Sequence, residues 1–370
     1  MLLSSIAMGG AERNVVSVLP YLRDAGVDVT LCTLNKRRDS ALVDVFSNAG
    51  IERFDLGANR LSDRHSWRKF LSFLNAQRID IVHAQDQDAI IYAGMSKRFA
   101  NIKTLMTRHV LQEPSRNWKF AIRSRLVLWL ARRRMDRVVA VSEAVRNRFA
   151  VQARMSPSKI ETIYNGVDLE KFTLCKSRAE LRKKLGWDTD RKIAIHVAVF
   201  RPEKGYDLLF EAIPQIQAAL PSFQIKLVGD DRLESALHDK ASILGDVVEF
   251  MGQRMDVPEL LAASDLLIQT SWSEALPTVL IEAGASSRPV VATNVGGTSE
   301  IVVDGRGGFV VDPGDAGDLA DRVVRILCTP GLADKMGRQA YNRVVKMFSL
   351  ESQAGSTKML YEKMLGPVVV

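Results

Sequence analysis

Asp265-Leu-Leu-Ile-Gln-Thr-Ser271-Trp-Ser-Glu274-Ala-Leu-Pro277-Thr-Val-Leu-Ile-Glu282-Ala-Gly284 is the stretch from which the rest of this 370-residue chain can be read. Its opening apolar run has the length of a short buried strand. Pro277, with no N–H and a fixed φ, suits the first turn of a helix. Glu274 then falls in the strand-to-helix loop and Glu282 in the second helical turn. Open α/β sheets bind ligands at such carboxyl ends of strands. Two acceptor-only carboxylates, with helix N–H donors between them, suit a ligand carrying hydroxyls at both ends and phosphate in the middle. A nucleotide-sugar has that pattern. Two glutamates alone would more readily read as a solvated helix face; the sequence around them decides.

Working outward, strand-like runs alternate with helical ones, the pattern of parallel α/β sheets. Met1-Leu-Leu-Ser-Ser-Ile6 reads as a first strand running into a glycine turn. Further strands are expected at 27–34, 80–84, 103–108 and 137–141. A helix opening at Gly10 carries Val15, Val18, Leu19 and Leu22 on one face and closes at Gly26. Ser142 is placed to cap another. Ile163-Tyr164-Asn165-Gly166 ends this series in a tight turn, and the charged stretch 176–191 leads to a second series. Its strands are expected at 192–200, 223–228, 247–251, 265–270, 289–292 and 309–311. A chain of this length accommodates two cores.

The string from 271 to 315 resembles the signature of the retaining family 4 glycosyltransferases. Its elements are Glu274-x7-Glu282 with Pro277 three residues after the first Glu, then Pro289-Val-Val-Ala-Thr-Asn-Val-Gly296-Gly297-Thr-Ser-Glu300, then Gly308-Phe-Val-Val-Asp-Pro-Gly-Asp315. The resemblance implies the GT-B fold, which is α/β with two doubly wound Rossmann-like domains facing a central cleft. On that frame residues 1–170 form an N-terminal acceptor-side domain and 171–348 a C-terminal nucleotide-sugar-binding domain. Residues 349–370 form a C-terminal helix crossing back to the first domain.

Moving a sugar off a nucleotide requires stabilising a departing diphosphate with fixed cations, helix N-termini or a metal. Arg201-Pro-Glu-Lys204-Gly205 supplies two cations at a strand's carboxyl end, where Gly205 allows close approach; this fits a diphosphate clamp. The helix start at Leu276, Pro277, Thr278 and Val279 directs free N–H groups to the same region. Gly9 and Gly10 let first-domain backbone approach the phosphates. The resemblance distributes roles in the same way and adds others. It implies that Glu274 contacts donor sugar hydroxyls, that Glu282 holds the ribose, and that Gln253 and Arg254 meet the base with Gly229 flanking it. His109 takes the place of a first-domain histidine facing the transferred sugar, and Gly296 and Gly297 are turn residues that shape the site. Two positions depart from the pattern. The family's Gly-Arg-Leu reads Ala198-Val199-Phe200 here, so Arg201 is expected to replace the missing cation. Gln85 stands where a second histidine is common. There is no Asp-x-Asp in a suitable loop and no His/Cys cluster to offer a metal site, so no cofactor is expected beyond the nucleotide-sugar co-substrate. Retention of configuration rests on the resemblance, since no pair of carboxylates can be assigned as acid and nucleophile.

The formal net charge is +8, and it is unevenly placed. Residues 1–170 hold 27 Lys+Arg against 17 Asp+Glu, so the first half carries all the excess and calls for an anionic partner. Trp118, Ile122, Leu126 and Trp129 recur at helical spacing, with Arg116, Lys119 and Arg123 on a neighbouring face. Such a helix either settles on anionic lipid or faces the core with a solvated basic side. No apolar run approaches the ~20 residues of a membrane span. The N-terminus lacks the regions of a signal peptide, and three scattered cysteines suit a reducing compartment. The expected location is cytoplasmic, with peripheral contact on the inner face of the membrane. The expected activity is transfer of a hexose-type sugar from a UDP- or GDP-sugar to a glycan or lipid-linked acceptor, in surface polysaccharide or glycolipid synthesis. The rivals are a GT-B nucleotide-sugar epimerase, a phosphorylase or sucrose-synthase-like relative, and a catalytically silent nucleotide-sugar binder. A nucleic-acid binder would use the same basic half but shows no recognition motif and is not expected.

Overall fold

The computed structural model describes residues 1–6, 10–35, 50–58, 60–111, 118–229 and 234–366. It contains two all-parallel sheets. The first is built from β1 (Leu2–Leu3), β2 (Thr30–Thr33), β3 (Glu52–Asp55), β4 (Ile81–Ala84), β5 (Lys103–Arg108), β6 (Arg137–Ala140) and β7 (Ile160–Thr162), in the order β3-β2-β1-β4-β5-β6-β7. The second is built from β8 (Lys192–Val197), β9 (Phe223–Val228), β10 (Val248–Phe250), β11 (Leu266–Gln269), β12 (Val290–Thr293) and β13 (Gly308–Val311), in the order β10-β9-β8-β11-β12-β13. Each is a Rossmann-like order in which strand succession reverses beside the first strand of its series, between β1 and β4 and between β8 and β11. The chain divides into one unit of Met1–Gly166 with Leu350–Val370, and another of Val167–Ser349.

In the first unit the Gly10–Asp24 helix buries Val15, Val18, Leu19 and Leu22 and closes at Gly26, whose φ is +88°. Val18 and Leu22 pack against Leu350 and Ala354 of the Leu350–Leu365 helix. The Asn165-Gly166 pair is not the tight turn expected from its residue types: neither residue has positive φ. Its backbone is instead held by side chains. Asn14 Nδ2 donates to Gly166 O at 3.0 Å, and Gly166 N–H donates to Gln353 Oε1 at 2.7 Å. Long-range polar contacts replaced the local hydrogen bond that would have closed a turn. Ser142 caps the Glu143–Ala153 helix by accepting from Val145 N–H. β3 and β7 were not foreseen. Glu52-Arg-Phe-Asp55 is an edge strand with an Arg53–Asp55 ion pair, and β7 is three residues long, so neither has a clear period of two.

In the second unit the main core cluster covers one face of the sheet, which Phe223, Leu266 and Val291 share by register, packing with Phe200, Tyr206 and Ile213. Asp265, at the entry to β11, accepts from Arg182 at 2.8 Å and from Ile193 N–H at 2.8 Å. This fastens β11 to β8 at the switch point of the sheet. The β8 strand ends at Val197, so Ala198, Val199 and Phe200 already belong to the loop.

Candidate active site

The carboxyl ends of β8 to β12 carry the expected donor-side residues, and those after β8 and β11 flank the strand-order reversal. Pro202–Lys204 makes one tight turn, and Gly205 follows with φ +68°. A Cβ on Gly205 would lie 1.9 Å from Thr270 O, so only glycine lets the two loops meet. Thr270 Oγ1 donates to Lys204 O at 3.1 Å and Trp272 N–H donates to Glu203 O at 2.8 Å. The loop after β8 is thereby laced to the loop after β11.

That lacing brings Lys204 to Glu274. Lys204 Nζ donates to Glu274 Oε1 at 2.6 Å; Ser271 Oγ and Gln269 Nε2 donate to the same oxygen at 2.7 and 2.9 Å. Both charged side chains are largely enclosed, so the pair is screened less than a surface bridge. Three donors on one oxygen fix the carboxylate's direction, and none of the three takes Oε2. Lysine carries three N–H donors, so its bond to Glu274 leaves two for another anion. The loop's far side is equally constrained. Gly296 has φ +53°, and a Cβ there would sit 1.7 Å from Glu274 O. Gly297 N–H donates to Ala275 O, and Thr293 Oγ1 donates to Ser271 O at 2.5 Å.

The helix expected after Pro277 spans Thr278–Ala285, with Pro277 itself at the N-cap rather than in the first turn. Leu276 and Pro277 are buried, Thr278 and Val279 half-buried, and Glu282 stands in the second turn, half-buried. Gly229 follows β9 and is sterically compelled: a Cβ would be 1.9 Å from Ala198 O. Gln253 is exposed after β10, while Arg254 is forked onto Asp256 at 2.8 and 2.6 Å. Arg201 does not join the Lys204–Glu274 cluster. It is 62% exposed and its nearest carboxylate is Glu203 at 3.9 Å, a surface pair of little energetic consequence. Sequence reasoning missed Gln269 and Ser271 as holders of Glu274. Gln269 ends the very strand whose apolar run marks the motif.

The first-unit residues form a neutral polar network. His109 follows β5; its Nε2 lies 3.0 Å from Gln85 Oε1, and its Nδ1 is buried without a partner. Gln85 Oε1 can only accept, so His109 carries its proton on Nε2. Burial, with the Arg108 charge beside it, pushes the His109 pKa down to about 4. His83 is buried between Thr107 Oγ1 at 2.7 Å and Tyr361 OH at 2.8 Å, and burial holds its pKa well below the usual histidine range. A cavity of about 20 Å³ is lined by His83, Gln85, Thr107, His109 and Asn165 among others. Gly10 opens its helix with no protein atom within 4 Å of where a Cβ would stand. Gly9 lies outside the described residues.

Comparison with known proteins accords with this geometry. The family model for Glycosyl transferases group 1 matches residues 177–343, and that for Glycosyltransferase Family 4 matches residues 8–171. The chain is 30% identical over 273 residues to the GDP-mannose-dependent monoacylated alpha-(1-6)-phosphatidylinositol monomannoside mannosyltransferase of Corynebacterium glutamicum, covering 70% of each chain. It is 31% identical over 238 residues to the N-acetyl-alpha-D-glucosaminyl L-malate synthase of Bacillus anthracis, covering 62% of this chain and 60% of that relative's length. The crystal structure of Anabaena HepE in complex with UDP superposes with a TM-score of 0.85 at 25% identity, covering 98% of both chains. The fold is that of the GT-B glycosyltransferases. This chain belongs to the group 1, family 4 glycosyltransferases.

Proposed function

We propose that this chain is a retaining, metal-independent glycosyltransferase that moves a hexose-type sugar from a UDP- or GDP-sugar to a glycan or lipid-linked acceptor in surface polysaccharide or glycolipid synthesis. The observation that carries the reading is the convergence of Lys204, Gln269 and Ser271 on one oxygen of Glu274, one loop before the Thr278 helix start. In this reading Glu274, fixed through Oε1, offers its other oxygen to donor sugar hydroxyls. Lys204, with Arg201 swinging in from solvent, holds the diphosphate as its bond to the sugar breaks. The N–H groups of Thr278 and Val279 add the positive end of their helix. These groups supply the charge that a divalent cation would supply elsewhere, and supply it already oriented. Glu282 holds the ribose, and Gln253, Arg254 and Gly229 border the base. His109, neutral at pH 7, meets the sugar from the first unit, and Gly9 and Gly10 leave room beside the phosphates.

The relatives support the donor and acceptor classes through their names. HepE binds UDP, while the Corynebacterium enzyme uses GDP-mannose and a phosphatidylinositol mannoside. A lipid-linked acceptor in turn favours work in peripheral contact with an anionic membrane, on its cytoplasmic side. One observation favours a silent binding protein: Val199, apolar and part-exposed, stands where a second cation is expected. Turnover separates the two. With UDP- and GDP-sugars and a glycan or polyprenyl-linked acceptor, nucleoside diphosphate release is expected, undiminished by a chelator, with the anomeric configuration of the product kept by NMR. Donor binding with no release under any acceptor would favour the silent protein, release without acceptor the epimerase class, and inhibition by chelator would overturn metal independence.

A further inference from the structure

The Trp118–Arg134 helix resolves the two readings of its aromatic stripe. Its buried side is Val127, Leu130 and Ala131, whereas Trp118, Ile122, Leu126 and Trp129 are 67, 56, 39 and 49% exposed. The core-facing reading of those four residues is therefore wrong. Steps of 100° per residue set them within an arc of about 80°, and the stripe runs for about 17 Å along the axis. Scattered apolar surface residues are ordinary, but four large ones in register on one helix are not. The same spacing puts Arg125, Arg132 and Arg133 on or beside the stripe, all three exposed and none ion-paired among the described residues. Arg123, on the flank, is instead paired with Asp88. All 17 residues of the helix include no carboxylate.

We infer that this face of the Trp118–Arg134 helix is a docking surface for anionic lipid, lying in the plane of the membrane interface. The inference deepens the proposed function, on which it rests for its purpose of bringing the enzyme to a lipid-linked acceptor. Two tryptophans separated by three helical turns suit the interface, where an indole keeps its N–H in the headgroup layer. Ile122 and Leu126 between them enter the acyl boundary, and the arginines meet lipid phosphates. A second copy of this chain would bring the same positive charge against itself. Single-stranded nucleic acid would use stacking rings throughout the groove, and Ile122 and Leu126 offer none.

The test is co-sedimentation of the full chain with phosphatidylglycerol-containing vesicles and with pure phosphatidylcholine vesicles at low salt. The wild type is expected to partition onto the first and not the second. Each arginine near an anionic surface contributes roughly fivefold to partitioning. Arg125→Glu/Arg132→Glu and, separately, Trp118→Ser/Trp129→Ser should each lower the partition coefficient at least ~tenfold. Arg125 and Arg132 are exposed, so that variant's melting temperature should stay put, and in the tryptophan variant it reports on folding directly. Equal binding to both vesicle types, variants that sediment like wild type, or wild-type self-association abolished by the tryptophan variant would each overturn the surface. A melting shift with nucleotide-sugar in a protein that ignores vesicles overturns the surface and leaves the transferase reading standing. Variant-sensitive vesicle binding without any nucleotide-sugar shift supports the surface and removes its purpose.

Discussion

The two strand-order reversals in this molecule are built from opposite materials. Beside β8 and β11, the second unit gathers a lysine and a glutamate in direct contact, framed by Gly205 and Gly296, where a Cβ would strike backbone oxygen. Beside β1 and β4, the first unit gathers amides, hydroxyls and two imidazoles kept neutral by burial, with one carboxylate, Asp86, that accepts from Ser4 N–H at 2.5 Å. One topology thus supports a site built on a lysine–glutamate ion pair and a site built around two neutral imidazoles. In the proposed reading, the half with the ion pair carries the burden of a departing diphosphate. Charge development calls for preorganised charge, whereas recognising a sugar hydroxyl calls only for a directed donor or acceptor.

The largest effect should come from removing the fixed charge. Lys204→Ala is expected to lower kcat/KM by about 10²–10³, the range for losing one preorganised electrostatic contact. A loss under tenfold would move the burden elsewhere. Gly296→Ala comes next, because its Cβ would meet Glu274 O and its φ is left-handed. We expect roughly 2 kcal/mol or more of destabilisation, read as a lower urea midpoint; an unchanged midpoint would show that the Glu274 loop has slack. Arg201→Ala should cost about tenfold in kcat/KM (about 1.4 kcal/mol), less than Lys204 because Arg201 must be drawn in from solvent. A loss within twofold would dissolve the joint clamp. On the neutral side, Gln85→Leu removes one hydrogen bond to His109 and should cost only about two- to tenfold, visible also as a change in the His109 ring ¹⁵N shifts. A Gln85 effect rivalling that of Lys204 would erase the contrast between the two halves.

A separate expected effect is on acid stability. His109 and His196 have pKa values pushed down to about 4 and about 3, chiefly by burial, and His83 is lowered too. Unfolded histidines protonate near 6.5. Their neutral burial thus stabilises fully above that pH, and the stabilisation is lost as pH falls from about 6.5 towards 4, at up to about 1.4 kcal/mol per pH unit per group. His196 is buried with neither ring nitrogen hydrogen-bonded. His196→Leu should therefore flatten the fall of melting temperature between pH 6.5 and 5, and an unchanged slope would mean that other groups govern it.

Much of this architecture is legible in the residues. All six strands of the second sheet are legible: β11, β12 and β13 as bounded apolar runs, because strands buried on both faces need no alternation, and β9 and β10 with polar residues interleaved. β3 and β7 do not show, being short and half polar. In the site, Glu274, Glu282, Lys204 and the glycines follow from an ordered string, since glycine and proline write backbone geometry directly into sequence. The grip of Gln269 and Ser271 on Glu274, and of Gln85 on His109, depends on how loops return over strand ends, which no local period encodes. The Trp118 stripe had the converse difficulty: helical spacing reveals a face but not whether that face points in or out.

The central claim is that the loops following β8 and β11 hold a nucleotide-sugar. Melting temperature measured with UDP, GDP and their sugar conjugates, for wild type and Glu282→Ala, tests it most directly. A ligand present at 100 times its Kd stabilises the fold by about 2.7 kcal/mol. One nucleotide family should raise the wild-type melting temperature by several degrees, and the shift should vanish in the variant. No shift with any of them, or a shift that Glu282→Ala leaves intact, would contradict the account.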